Sequence, residues 1–353
     1  MKRGRLRAGR SERERVGAAA LRRRRLRQAF DVRVGREWQR YSGDAWRVLA
    51  RELRERFVRL HLGKGRGWVL ELGPGPGRFT PTILSSKGTV VAVDFSLPML
   101  RALDRRKSLR RGRARLRSVR AAGEHLPFRD GAFRATVALG NLLGFSASDG
   151  ARLLAEIARV TKPGGLLILD VASPVGAATD FLELTAKHRD LLRVLRRPGY
   201  YFLTEVVRDA DRTHQPYAPK RWGNWEFDFY TPAGADQVLR SAGFRRVDRM
   251  AIAPIGAYRD RLTRSARRDP RAWKTLLAFE EHVGRRAGTL ETGHGFVIAA
   301  LRLPHRRRRP RARPQVSNRP PRSRAAHVLS RSPAGRRPDS PSAARPRPRE
   351  RSH

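Results

Sequence analysis

Residues 69–80 read VLELGPGPGRFT, and few folds can accommodate that stretch. A short apolar run from Trp68 to Leu70 is followed by Glu71, then by glycines at alternate positions, Gly73, Gly75 and Gly77. Apolar character resumes at Phe79. That order predicts a strand, a tight turn and a helix. The glycines allow backbone to approach a ligand more closely than any side chain would permit. Seventeen residues beyond Gly77 a second apolar run, TVVAV, ends in Asp94. An acid at the tip of a second strand is placed to accept hydrogen bonds from a ribose diol.

Two nucleotide-type ligands suit such a turn. The dinucleotide fingerprint G-x-G-x-x-G offers a helix N-terminus to a pyrophosphate. Here the arrangement is E-x-G-x-G-x-G, with an acid two residues before the first glycine. A carboxylate there would repel a pyrophosphate but suits the ammonium of a bound amino acid. Loop, Glu71 and Asp94 together resemble the first motif of the class I S-adenosylmethionine (SAM) methyltransferases. The resemblance implies SAM as cofactor, held by Glu71, Gly73, Gly75, Gly77 and Asp94. A purely structural glycine turn would require neither flanking acid.

Composition narrows the setting. The chain has 353 residues, no cysteine and a formal charge of +46. Without cysteine there are no disulfides, thiolate zinc sites or cysteine nucleophiles. No stretch approaches the ~20 consecutive apolar residues of a membrane span, and only VGAAAL interrupts the basic N-terminus, so a soluble, cytoplasmic protein is expected. Residues 1–28 carry twelve basic and two acidic side chains, and residues 304–353 carry sixteen arginines, ten prolines and no aromatic residue. Both are expected to be disordered basic tails, because neither composition buries enough apolar surface. Such tails can neutralise phosphates and contact nucleic acid non-specifically. Arginine outnumbers lysine 70 to 8, however, although lysine would serve a phosphate equally well. That ratio favours a compositional origin, such as a GC-rich genome, over a phosphate-binding one.

Between the tails, residues 29–303 form the expected catalytic domain. Trp46, Leu49, Leu53, Phe57 and Leu60 recur at helical spacing, so Ala45 to Leu62 is an amphipathic helix. The segment before it holds Phe30, Trp38, Tyr41 and Trp46. By resemblance, an N-terminal helix and loop cover the substrate pocket, making Tyr41 a candidate pocket residue, with simple anchoring of the helix as the alternative. A second helix starts near Ser96, and the same resemblance has Phe95 and Met99 flank an adenine. RLRSVR is a third strand, and AAGEHLPFRDGAFRATVALGN is similar to the family's third and fourth motifs. Ala122 replaces the usual aspartate, which leaves adenine recognition to backbone around Gly123 or to Glu124. Arg134 likewise stands where the family has an acid. The fourth strand ends at Gly140 and Asn141, and its tip is expected to lie beside the methyl donor that the resemblance implies. A helix from Asp149 to Val160, a TKPGG loop and a fully apolar strand LLILDVA follow.

Residues 173–231 depart from the common core and are expected to form an antiparallel insertion covering the site. Its strands are Tyr200 to Val207 and Trp225 to Tyr230, separated by a polar loop. The aromatic face offers Trp225 and Tyr230 as substrate contacts, though packing is the stronger reading of that face. A helix and strand over 231–248 follow, residues 255–290 are helical and basic as a second lid, and ETGHGFVIAALRL is the last strand.

Strands alternating with helices predict an α/β, doubly wound parallel sheet. The resemblance makes it Rossmann-like and seven-stranded, with an antiparallel last strand. It further implies in-line transfer of the sulfonium methyl to a nucleophile. The LPF motif resembles the type 11 group, which includes quinone-pathway C-methyltransferases, so a small-molecule acceptor is expected. LGNLLGF lacks the N,D-P-P-Y signature of adenine-N6 and glutamine methyltransferases. A tRNA or other RNA methyltransferase aided by the basic tails remains the alternative. A non-catalytic SAM- or RNA-binding protein is the alternative of another class. No metal site is expected, since the nine histidines show no H-E-x-x-H spacing, and no catalytic base is assigned. His125 reads as a loop or packing residue.

Overall fold

Runs such as VLEL, TVVAVD and LLILDVA are too apolar for a half-exposed strand and fit one buried on both faces. A computed structural model describes residues 12–39, 43–146, 150–176, 212–217 and 225–304. The chain divides into units of residues 1–306 and 307–353, and every described residue belongs to the first. Its main sheet contains β1 (Trp68–Leu72), β2 (Thr89–Asp94), β3 (Leu116–Arg120), β4 (Phe133–Ala138) and β5 (Thr161–Ala172). A separate hairpin pairs β6 (Arg212–Tyr217) with β7 (Trp225–Tyr230), and β8 (Phe244–Ala251) and β9 (Gly295–Arg302) complete the main sheet. The strand order is β3-β2-β1-β4-β5-β9-β8. The first five strands run parallel, and β9 lies antiparallel between β5 and β8. This is the expected seven-stranded, doubly wound sheet with its last strand reversed.

The order reverses at β1, which has β2 on one side and β4 on the other. Leu72 pairs with Val93 and Glu71 with Val137, so the carboxyl ends of these strands lie together. Ligands of open α/β sheets bind at such a switch point.

Helices cover both faces. α1 (Glu12–Asp31) and α2 (Val34–Gln39) precede α3 (Ala45–Leu62), whose Leu49, Leu53 and Phe57 are fully buried. α4 (Thr80–Leu84) and α5 (Leu97–Asp104) join α3 on one face through Ile83 and Leu103. α6 (Leu142–Ser146) follows β4, and α7 (Gly150–Val160) and α8 (Pro232–Ser241) pack on the other face through Leu153, Ile157 and Leu239. α9 (Asp260–Arg267) and α10 (Pro270–Gly284) bring Ala266, Leu276 and Leu277 into the α3 core.

Four expectations change. Residues 12–28, expected to be disordered with the rest of 1–28, belong to α1, whose C-terminal end is held by Phe30 on Phe95 and Phe145 and by Asp31 on Ser96, contacts that composition alone does not reveal. TKPGG opens β5 rather than forming a loop; a register shift between Phe133 and Ala135 absorbs it, and Thr161 meets Thr136 at 2.8 Å. The partner of β7 is β6, within the stretch read as a polar loop, so cross-strand pairing overrides its polarity. Tyr200 to Val207 lies outside the described residues, as do 304–353 apart from Pro304. Finally, 255–290 packs against α3 and not over the site: Trp273 Nε1 donates to Glu52 at 2.9 Å, and buried Glu280 accepts from the Gly256 amide.

Candidate functional site

The loop after β1 is built by its glycines. Gly73, Gly75 and Gly77 have φ of 68°, 54° and 83°, a region that disfavours side chains. A Cβ on Gly77 would stand 2.2 Å from Leu103 Cδ1, so this glycine is required for packing. Gly75 differs: its Cβ would meet only Met99 Sδ, at 4.0 Å, and a side chain there would project into an adjoining cavity. Gly140, φ 94°, is open in the same way. Asp94 closes the loop from β2, one carboxylate oxygen accepting from Gly75 N at 3.1 Å and the other from Ser96 N at 2.9 Å. A carboxylate has about four lone-pair sites, so acceptor capacity remains for a diol. Burial pushes its pKa up to about 6, against the pull of the two amides.

Glu71 sits beneath the loop, not beside the cavity. Thr80 Oγ1 donates to it at 2.7 Å. Burial raises its pKa to about 7, opposed by the Thr80 hydrogen bond and the Arg106 guanidinium. It therefore braces the loop from behind, and Glu71, expected to meet a ligand ammonium, is not among the residues that line the cavity.

The cavity encloses about 550 Å³, within the range of small-molecule sites. Gly73, Gly75, Asp94, Phe95 and Met99 form one wall, Gly123 and Glu124 another. α1 supplies the side that sequence reasoning missed, with Leu26, Arg27 and Phe30 among its contributions. Phe30 packs edge-on against Phe95 at 5.8 Å and against Phe145 at 5.3 Å. Ser96 Oγ donates to Asp31 at 2.6 Å, which pins the end of α1 to the residue that caps α5. Arg78 reaches Glu37 of α2 across the same rim at 3.6 Å. The helical spacing of Leu26 and Phe30 was the available signal, masked by the surrounding arginines.

The tip of β4 is held by a second feature that sequence did not disclose. Asp170 of β5 accepts from Gly140 N and Asn141 N, both at 2.8 Å, and from Arg54 Nε of α3 at 2.6 Å. Asn141 has φ 63°, and its side chain accepts from Ala172 N at 3.1 Å. It thus turns toward β5, and Gly140 and Leu142 line the cavity in its place. Tyr230 is only 1% exposed, among Leu153, Leu239 and other core residues, with its hydroxyl on Asp228; it packs rather than lines the cavity. Tyr41 and the side chain of Trp225 lie outside the described residues. His125 is exposed, in a turn closed by its amide on Ala122 O. Among the described residues no group of three or more His, Asp or Glu is placed to hold a metal ion.

Glycines open to the cavity and an acid with spare acceptor capacity suit an adenosyl group. Comparison with known proteins agrees. Residues 69–165 match a family described as a methyltransferase domain. Demethylmenaquinone methyltransferase of Corynebacterium urealyticum is 36% identical over 167 residues, 45% of this chain and 67% of that one. Its counterpart in Mycobacterium marinum is 36% identical over 160 residues, 42% of this chain and 62% of that one. The chain thus spans about three fifths to two thirds of these relatives. A Burkholderia thailandensis 1,6-didemethyltoxoflavin-N1-methyltransferase, solved with S-adenosylhomocysteine, aligns over 85% of this chain and 94% of its own at 18% identity and a TM-score of 0.49. On the strength of the first relative, the chain belongs to the class I SAM-dependent methyltransferases, in the group related to quinone biosynthesis.

Proposed function

We propose that this protein transfers a methyl group from SAM to a small-molecule acceptor held under α1. The observation that carries the reading is the cavity itself: glycine loop and Asp94 on one side, Phe30 of α1 on the other. In this reading Asp94 accepts from the ribose hydroxyls, Phe95 and Met99 flank the adenine, and backbone around Gly123, with Glu124, faces its amino edge. The aromatic rings of Phe30, Phe95 and Phe145 favour an acceptor with an apolar or aromatic body. The relatives' own acceptor, a demethylmenaquinone by name, has that character.

SAM, when bound, supplies a sulfonium methyl already activated for displacement. The chain's contribution is then positioning and exclusion of water. Asp170 and Arg54 fix the β4 tip, Gly140 and Leu142 face the reacting region, and α1 closes the mouth. No side chain is assigned as a base, which is needed only if the acceptor must lose a proton. Among the described helices none is long and apolar enough to cross a membrane, and we place the reaction in the cytoplasm.

The test is methyl-labelled SAM given to the full-length protein with either a small-molecule extract or bulk tRNA. Label should enter the small-molecule fraction and, with SAM below saturation, fall about tenfold or more with Asp94→Ala. Label confined to tRNA would put the RNA reading first.

A further inference from the structure

Arg23, Arg24 and Arg27 stand on one stripe of α1, and all three line the cavity with Ala20 and Phe30. Most acids that share this space are engaged elsewhere. Glu37 faces Arg78 at 3.6 Å, and Asp94 takes the amides of Gly75 and Ser96. Glu124 belongs to the loop after β3. No hydrogen bond or ion pair joins Arg24 or Arg27 to another of the described residues.

A guanidinium keeps its charge at any working pH; Arg27 is half-buried where it lines the cavity, and Arg24 is exposed. SAM adds positive charge, because its sulfonium and ammonium outweigh its single carboxylate. A neutral acceptor would leave the charges of Arg24 and Arg27 without an ion pair to any of the described residues, although the Glu124 carboxylate lines the same cavity. An anionic acceptor answers both charges, and the planar fork of arginine matches the oxygens of a carboxylate or phosphate. Leu26, Phe30 and Phe145 surround the same space with apolar surface.

Resting on the methyltransferase reading above, we infer that the acceptor is an apolar or aromatic small molecule carrying a carboxylate or phosphate, and that Arg24 and Arg27 hold that group. The acceptor's specificity is therefore set from α1 and not from the sheet.

The experiment uses the full-length protein loaded with S-adenosylhomocysteine, titrated with 2-naphthoate, 2-naphthyl phosphate and neutral 2-naphthamide. At least one anion should bind about tenfold more tightly than the amide, roughly what one charge-assisted hydrogen bond gives. The preferred anion identifies the group. Arg24→Gln with Arg27→Gln should abolish the preference while S-adenosylhomocysteine affinity holds, and the paired lysine variants should restore part of it. Exchanging exposed Arg129 and Arg245 for glutamine should leave it intact. Equal or absent binding of all three probes overturns the inference. So does a preference that survives the α1 double variant, or one lost equally in the surface variant, which would mark non-specific charge. Loss of S-adenosylhomocysteine affinity in the α1 variant also overturns it, by giving those arginines to the donor's carboxylate. If the unaltered protein fails to bind S-adenosylhomocysteine, the methyltransferase reading itself fails, so the two failures are distinguishable.

Discussion

At the scale of single residues, Asp94 and Glu71 are both buried acids with raised pKa values, yet they do different things. Asp94 faces the cavity, and Asp94→Ala should weaken S-adenosylhomocysteine binding by about 1.5–3 kcal/mol, roughly ten- to a hundredfold. Calorimetry reads this directly, and unchanged affinity would remove Asp94 from the site. Glu71 faces Thr80, so its titration appears in stability. Its pKa rises from 4.5 to about 7 on folding, because burial disfavours the charge. The folded chain therefore holds a proton that the unfolded chain has released between those values. The stability this contributes is complete below 4.5 and lost as the pH rises through about 7. Melting temperature of the ligand-free protein should fall across that window, and Glu71→Gln should flatten the fall. Gly77→Ala drives a methyl into Leu103 at 2.2 Å, and should cost roughly 1–3 kcal/mol in denaturant titrations. These three positions were legible in sequence because their chemistry is local: glycines at alternate positions and an acid at each strand end. What sequence could not tell is which of the two acids lines the cavity, since that depends on Thr80 folding back beneath the loop.

At the scale of elements, the site depends on contacts between distant segments. Arg54 and Asp170 are 116 residues apart in sequence, and neither belongs to a motif, so their pairing was invisible before the fold. It is a buried pair, at 8% and 2% side-chain exposure. Asp170→Ala would take the carboxylate from the buried Arg54 guanidinium and leave two loop amides without their acceptor, with an expected loss of about 3–5 kcal/mol. Replacing both members by apolar residues of similar size should cost less, which a double-mutant cycle would measure. α3, β1, β2 and the helix after β2 were legible because their apolar periodicity is strong. α1 was not, because arginine-rich sequence reads as self-repelling chain until Phe30, Asp31 and Ser96 are seen together. β6 escaped for a related reason: its register comes from β7, not from alternation of its own.

For the whole molecule, the parallel sheet and its switch point followed from strands alternating with helices, whereas the closure of the site did not. The basic segment 307–353 forms a unit of its own. Removing it should leave the melting temperature and S-adenosylhomocysteine affinity unchanged. Any RNA binding should fall with its removal, and in the intact protein log affinity should drop against log salt by about 0.7–0.9 per phosphate contact. Removing 1–28 is a different operation, because it takes away most of α1 and opens the cavity. The truncated chain should still unfold cooperatively, yet release S-adenosylhomocysteine faster in stopped-flow displacement. Behind that expectation lies the hydroxyl of Ser96, which ties Asp31 to the loop carrying Asp94. Whatever steadies that loop steadies α1, and by reciprocity a seated helix slows escape of what lies beneath it. Where product release limits turnover, the interval between successive methyl transfers would carry the imprint of one serine's hold on a helix, shared with the rings around Phe30.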